Sequence, residues 1–219
     1  MKKLIAVSAV TSALMVPMFA SAATTAELKL IGTITPAACV PNFTGGSTID
    51  YGTIPANTLN VAVQTNLPEK NTTLAVVCES AVKFAIRRTD DRSASKASGV
   101  AIAGRGETYM SGLGDAENGA KIGAYTLRVS NEVSDTGTVS RLFSQDEGAV
   151  WFKSAAANSY LANGDILGFG VDTSSDTPSA HKSITVDLKV NASIAPANTL
   201  PLNDEIKIDG LGSFEVVYL

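Results

Sequence analysis

The chain has little with which to do chemistry. In 219 residues it holds one histidine, two cysteines and one tryptophan, and aromatic residues make up 6% of the total. One histidine and two cysteines cannot assemble a usual zinc site. A Ser-His-Asp arrangement would need His181 beside a nucleophile, and no G-x-S-x-G is present. His181 stands next to Lys182 in a polar stretch and is expected as a solvated loop residue. No glycine-rich loop joins a strand to a helix, so nucleotide binding has no support. The acidic run Asp115-Ala116-Glu117-Asn118-Gly119 lacks the spacing and the distal glutamate of a calcium loop and is expected as a turn. We therefore expect no enzyme, no catalytic or metal-binding residues and no cofactor. Lysine and arginine total 17 against 21 acidic residues, without clusters. That balance gives no support to nucleic-acid binding. Arg87-Arg88 comes nearest, and is expected on a solvated strand face.

What is present first is a leader. Lys2 and Lys3 precede an apolar run from Leu4 to Phe19, and Ala20-Ser21-Ala22 offers a small-residue cleavage site. This is the pattern of a secretory signal peptide, residues 1–22. Later stretches are too short and too polar to span a bilayer as helices. About 197 residues (219 minus 22) would remain, enough for one larger β domain. In an exported protein two cysteines suggest one disulfide, Cys39 to Cys78. Closing that loop is worth roughly 3–4 kcal/mol on chain entropy.

The dominant pattern is alternation with a period of two, the mark of half-buried strands. It is clearest in Ser183–Ala195, where Ile184, Val186, Leu188, Val190, Ala192 and Ile194 share one face. Strands are also expected at Leu59–Val63, at Val82–Ile86, at Tyr125–Val129 and at Leu167–Val171, where Gly168 and Gly170 suggest close approach or a bulge. Leu74–Cys78 is a short apolar run, expected to be buried on both faces. Phe143–Tyr160 is hardest to assign, with a helical turn expected within Ala149–Ala157. Turn-rich segments separate these runs. Together they predict an all-β sandwich or barrel.

The two ends stand out. Ala26, Leu28 and Leu30 alternate with Glu27 and Lys29. At the far end Phe214, Val216 and Tyr218 share a face, and the chain stops at Leu219. Exposed apolar edge strands are aggregation hazards unless something pairs with them. The run Leu30-Ile31-Gly32-Thr33-Ile34-Thr35-Pro36-Ala37-Ala38-Cys39, with its cysteine seven residues after the glycine, resembles the opening of chaperone–usher pilins, the fimbrial subunits of Gram-negative bacteria. The position of Cys78, the segment Ile49–Ile54 and the ending Phe214-Glu215-Val216-Val217-Tyr218-Leu219 are similar to that family too. Ala26, and Ile206 at the fourteenth position from the end, stand where glycine is usual in the family, which marks an atypical member.

The resemblance implies an immunoglobulin-like β-sandwich lacking its last strand, over residues 32–219, preceded by an N-terminal extension at 23–31. It implies donor-strand exchange: Ala26, Leu28 and Leu30 would enter another subunit's groove, and Phe214, Val216, Tyr218 and Leu219 would form the groove and chaperone edge. The implied partners are other fimbrial subunits, a periplasmic chaperone and an outer-membrane usher. The implied location is the periplasm in transit and then a fimbria on the cell surface, in cell adhesion, with any receptor left open. Two other readings stand beside it: a self-complete periplasmic β-sandwich that binds a ligand as a monomer, and, with least support, an exported hydrolase.

Overall fold

The computed structural model describes residues 28–33, 38–154 and 159–219. The chain divides into two units, Met1–Thr35 and Pro36–Leu219. In the first, residues 28–33 form no strand, and Leu28, Leu30 and Ile31 are exposed. The expected signal peptide, most of the expected extension and Ala26 lie outside the described residues.

The second unit is all-β and sandwich-like. It contains β1 (Cys39–Thr44), β2 (Thr65–Asn66), β3 (Lys70–Asp90), β4 (Met110–Gly112), β5 (Gly123–Ser134), β6 (Gly137–Thr138), β7 (Arg141–Ser144), β8 (Phe152–Lys153), β9 (Ile166–Phe169), β10 (Ala180–Ile194) and β11 (Gly212–Tyr218). Among the described residues no helix is long and apolar enough to cross a membrane. All described strand pairs are antiparallel.

The long strand β3 organises the unit, because it serves two sheets in turn. Its first part, residues 70–83, lies between β1 and β10, and β10 continues the sheet to β5 and β4. Its second part, residues 84–90, pairs with β11, while Ala85–Arg87 also pairs with β9, which leads to β7 and β8. The core fills the space between. The expected inward row of β10, from Ile184 to Ile194, is buried throughout. Burial of a large aliphatic side chain contributes up to about 2 kcal/mol. From β3, Leu74, Val76, Cys78, Phe84 and Ile86 join the same cluster.

Several expectations are corrected. Leu59–Val63 is not a strand: Asn60 turns back onto the Thr65 hydroxyl, and the carbonyls of Asn60 and Val61 accept bonds from Ala197 and Asn198 in a loop. These local bonds take groups a ladder would need, and Val61 and Val63 are exposed. Leu74–Cys78 is buried on one face only, with Val77 55% exposed, because this half of β3 has a solvent side. His181 is not solvated. It belongs to β10, is 1% exposed, and its Nε2 meets the Phe169 carbonyl at 3.3 Å. Arg88 is also buried, not solvated, because β3 changes sheets there; its guanidinium bonds to the Ser111 hydroxyl and lies 5.9 Å over the Tyr125 ring.

Residues 149–154 contain no helix; 155–158 lie outside the described residues. The loop before β8 instead carries Trp151 onto Gly168, where an added Cβ would stand 2.5 Å from the indole. Close approach is thus the reason for that glycine. Trp151 also helps explain why Ala85, which pairs with Gly168, is fully buried on the outer side of its sheet.

The Asp146 carboxylate ties this loop, accepting the Val150 N–H at 2.9 Å and the Ser144 hydroxyl at 2.7 Å. The Val150 amide, followed by Ser144, holds the Asp146 pKa below its usual value. A carboxylate lowered on folding stabilises above its unfolded pKa, near 3.9, and loses that contribution as pH falls through the folded value. We expect Trp151 emission to shift on acidification below about pH 4 before global unfolding, and Asp146→Asn to show the shifted emission already at neutral pH. Identical acid titrations of the two proteins would rule this out.

Candidate functional site

The feature that stands apart from the packed core is an open groove of about 640 Å3. Two stretches without strand structure border it: residues 48–59, which follow β1, and residues 200–208, which precede β11. Ile49, Tyr51 and Leu59 on one border, and Leu200 and Ile206 on the other, are half-buried and packed against the core. Ile122 and Ile194 of the core also line it. The lining is mixed, with Thr48, Asp50, Thr53, Asp204, Glu205 and Lys207 beside these apolar side chains.

The backbone along both borders is largely unused. Residues 205–208 make no backbone hydrogen bond to the described residues, and along 49–54 the one such bond is Gly52 N–H to the Asp50 side chain at 2.7 Å. Backbone with free donors and acceptors beside apolar side chains is what an added strand requires; within the first border Gly52, at φ 63°, turns the chain. Tyr51 is the polar exception. Its hydroxyl is buried and has no partner among the described residues, its phenol pKa is pushed up by burial, and Lys70 Nζ lies 5.9 Å from the ring centre.

The C-terminal residues expected to form the groove, Phe214, Val216, Tyr218 and Leu219, lie in or directly after β11 and are not among the residues that line this groove. β11 is an edge strand that pairs with β3 alone among the described residues. Phe214 and Val216 are half-buried against the core, while Tyr218 is 50% and Leu219 46% exposed. The Leu219 N–H donates to the Lys83 carbonyl at 3.1 Å, which carries the pairing to the last residue. β11 also touches β1: Phe43 and Phe214 meet edge to face at 5.7 Å, and the Cys39 N–H donates to the Tyr218 hydroxyl at 2.9 Å. The Cys39–Cys78 disulfide is formed and fastens β1 to β3.

At the other end, Leu28 and Leu30 are 88% and 85% exposed. The acidic run Asp115–Gly119 is a turn, closed by Ala116 N–H to Ala120 O and by an ion pair between Lys121 and Asp115. Among the described residues no group of three or more His, Cys, Asp or Glu side chains is placed to hold a metal ion.

Sequence reasoning singled out Ile49–Ile54 only as part of the family resemblance and assigned neither border to the groove. The available signal was the alternation Leu200, Leu202, Ile206, Ile208, interrupted by the polar turn at Asn203-Asp204.

Comparison with known proteins places this chain beside proteins named without a function. A family model described as "Protein of unknown function (DUF1120)" matches residues 28–126. That span takes in both cysteines and the first border of the groove. The chain is similar to "Protein GltF" of Escherichia coli (strain K12), 28% identical over 253 residues, covering 100% of this chain and 99% of that one. It is also similar to "Uncharacterized protein YhcF" of the same organism, 28% identical over 226 residues, covering 92% and 94%. Both likenesses run nearly end to end. The pilin resemblance is carried by the residues quoted above, not by these matches.

Proposed function

We propose that this protein is an exported structural subunit that assembles head to tail by strand addition into a surface fimbria and so contributes to cell adhesion. A periplasmic chaperone would hold the groove and the β11 edge first, and an outer-membrane usher would be the place of exchange. The observation that carries this reading is the open groove, lined in part by Ile49, Tyr51, Leu59, Leu200 and Ile206 and bordered by backbone with few hydrogen bonds among the described residues, in a chain that ends on an edge strand. The exposed, apolar and strand-free segment at Leu28–Ile31 supplies the matching element. In physical terms this is β-augmentation: main-chain bonds supply affinity and alternate side chains fill the groove. A heterologous contact of this kind does not close on itself, so it yields a fibre. Such an assembly needs no catalytic residue, cofactor, metal or nucleic acid.

The test is a denaturing gel of surface-sheared material, loaded unheated and boiled and probed for this protein. A ladder that collapses to monomer only on boiling is the expected result. Monomer in both lanes, with the protein retained in the periplasm, would overturn the reading in favour of a self-complete monomeric binding protein. The contacts already made between β1 and β11 are the observation that favours that second reading.

A further inference from the structure

The solvent side of the first sheet carries a recess apart from the groove. Residues directly opposite each other on paired strands share a face, and the register sets two polar rows across this one. Thr44 of β1 stands opposite Thr73 of β3, Thr73 opposite Asp187 of β10, and Asp187 opposite Ser130 of β5. In the next row Asn71 stands opposite Lys189, and Lys189 opposite Arg128. Their chain neighbours Leu74, Leu188 and Val129 are buried on the core side. Beside the first row β5 is bulged: its register shifts between Thr185 and Asp187 of β10, and Asn131 there has φ 55°. Bulges re-aim side chains, and the Asn131 Nδ2 donates to the Asp187 Oδ2 at 2.7 Å. The Thr73 hydroxyl donates to the Asp187 Oδ1 at 2.8 Å. The carboxylate is thus held through both oxygens, and each keeps a lone pair for another donor. Around it polar capacity is unspent. The side chains of Asn71 and Thr44 make no hydrogen bond to the described residues, and Lys189 meets Glu69 at the long distance of 3.7 Å. The Arg128 Nε is buried without a partner among the described residues.

We infer that this recess binds a neutral hexose at the end of a surface glycan. Its volume is about 430 Å3, and its lining is threonine, asparagine, aspartate and lysine throughout. Such a lining gives an apolar peptide or an acyl chain nothing to bury. The charges at and beside it balance, Lys189 and Arg128 against Asp187 and Glu69, so neither a polyanion nor a polycation is favoured. What fits is an uncharged molecule whose groups donate and accept at short spacing. Hydroxyls on adjacent carbons of a sugar ring do both. One can donate to an Asp187 oxygen while its neighbour accepts from the Lys189 ammonium or the Asn71 amide. No aromatic side chain lines the recess to stack on the ring, so a single site is weak, with a dissociation constant of about 1–10 mM. In a fibre of identical subunits the site would recur once per subunit, and avidity would raise the affinity for a clustered glycan by roughly 100- to 10,000-fold. That gain rests on the strand-addition reading above; the recess itself does not.

The test is an NMR titration of the full mature chain carrying Leu28→Asp and Leu30→Asp, two positions remote in sequence from the recess, so that the protein stays monomeric. The probes are the methyl glycosides of mannose, galactose and glucose, with methyl glucuronide as the charged control. The expected result is saturable shifts of the Asn71 and Asn131 side-chain amides with at least one neutral glycoside, at a dissociation constant of about 1–10 mM, and no tighter binding of the glucuronide. Asn71→Ala and Asp187→Asn are each expected to weaken binding fivefold or more. The Asn71 side chain is exposed and bonds to none of the described residues, so its removal reads the site and not the fold. No saturable shift with any of the three neutral glycosides, tighter binding of the glucuronide, or a titration that either substitution leaves unchanged would overturn the inference. Because the titrated protein is monomeric, each of these outcomes leaves the heat-labile ladder, which reads assembly, to be decided separately.

Discussion

Replacing both cysteines, Cys39→Ser with Cys78→Ser, is expected to lower the stability of the subunit by about 4 kcal/mol and to remove most of the folded protein from the periplasm. The bridge closes a separation of 39 residues, which on chain entropy contributes about 4 kcal/mol. Small domains have about 5–15 kcal/mol in all, so the loss leaves a marginal fold. Position adds to the effect. Cys78 is 2% exposed within the main cluster, and a serine hydroxyl there would need a partner. The bridge also holds the start of β1, whose outer edge carries the contacts to Phe214 and Tyr218. The measurement is the urea midpoint of the oxidised protein against the double variant, together with periplasmic yield. An unchanged midpoint would show that the bridge contributes nothing to the fold.

The second large effect is expected on assembly and not on folding. Leu28→Asp with Leu30→Asp should abolish the heat-labile ladder while leaving the thermal midpoint of the monomer unchanged within error. Both side chains are more than four-fifths exposed, and surface substitutions of that kind usually change stability by less than about 0.5 kcal/mol. Seated in an apolar groove, each carboxylate would lose its water without gaining a counter-charge, a penalty that outweighs the apolar gain of a leucine. Wild-type polymer from the double variant would remove 26–31 from the donor role. A lowered melting midpoint would show that the segment packs within its own molecule, as a self-complete binding protein requires. The gel and the melting curve separate those outcomes.

The sequence by itself determined the elements whose pattern is local. The inward row of β10 from Ile184 to Ile194 and the alternation of Phe214, Val216 and Tyr218 could be read from spacing, because a strand with one buried face shows its period over a few residues; the Cys39–Cys78 pair could be read because only two cysteines stand in a chain that opens like an exported one. Tertiary structure decided what covers the second face. Arg88 and His181 look solvated in a one-dimensional pattern and are buried because β3 changes sheets and β10 begins earlier than its apolar run. Ala85 is buried in part because Trp151 lies over its neighbour Gly168. Val61 and Val63 alternate like a strand and are exposed because Asn60 and the 197–198 loop take the backbone bonds. The groove shows the same division most plainly. Its apolar side chains are visible in the sequence, but its two borders are far apart in the chain, one after β1 and one before β11. Only the tertiary fold brings them together, across Ile122 and Ile194 of the core.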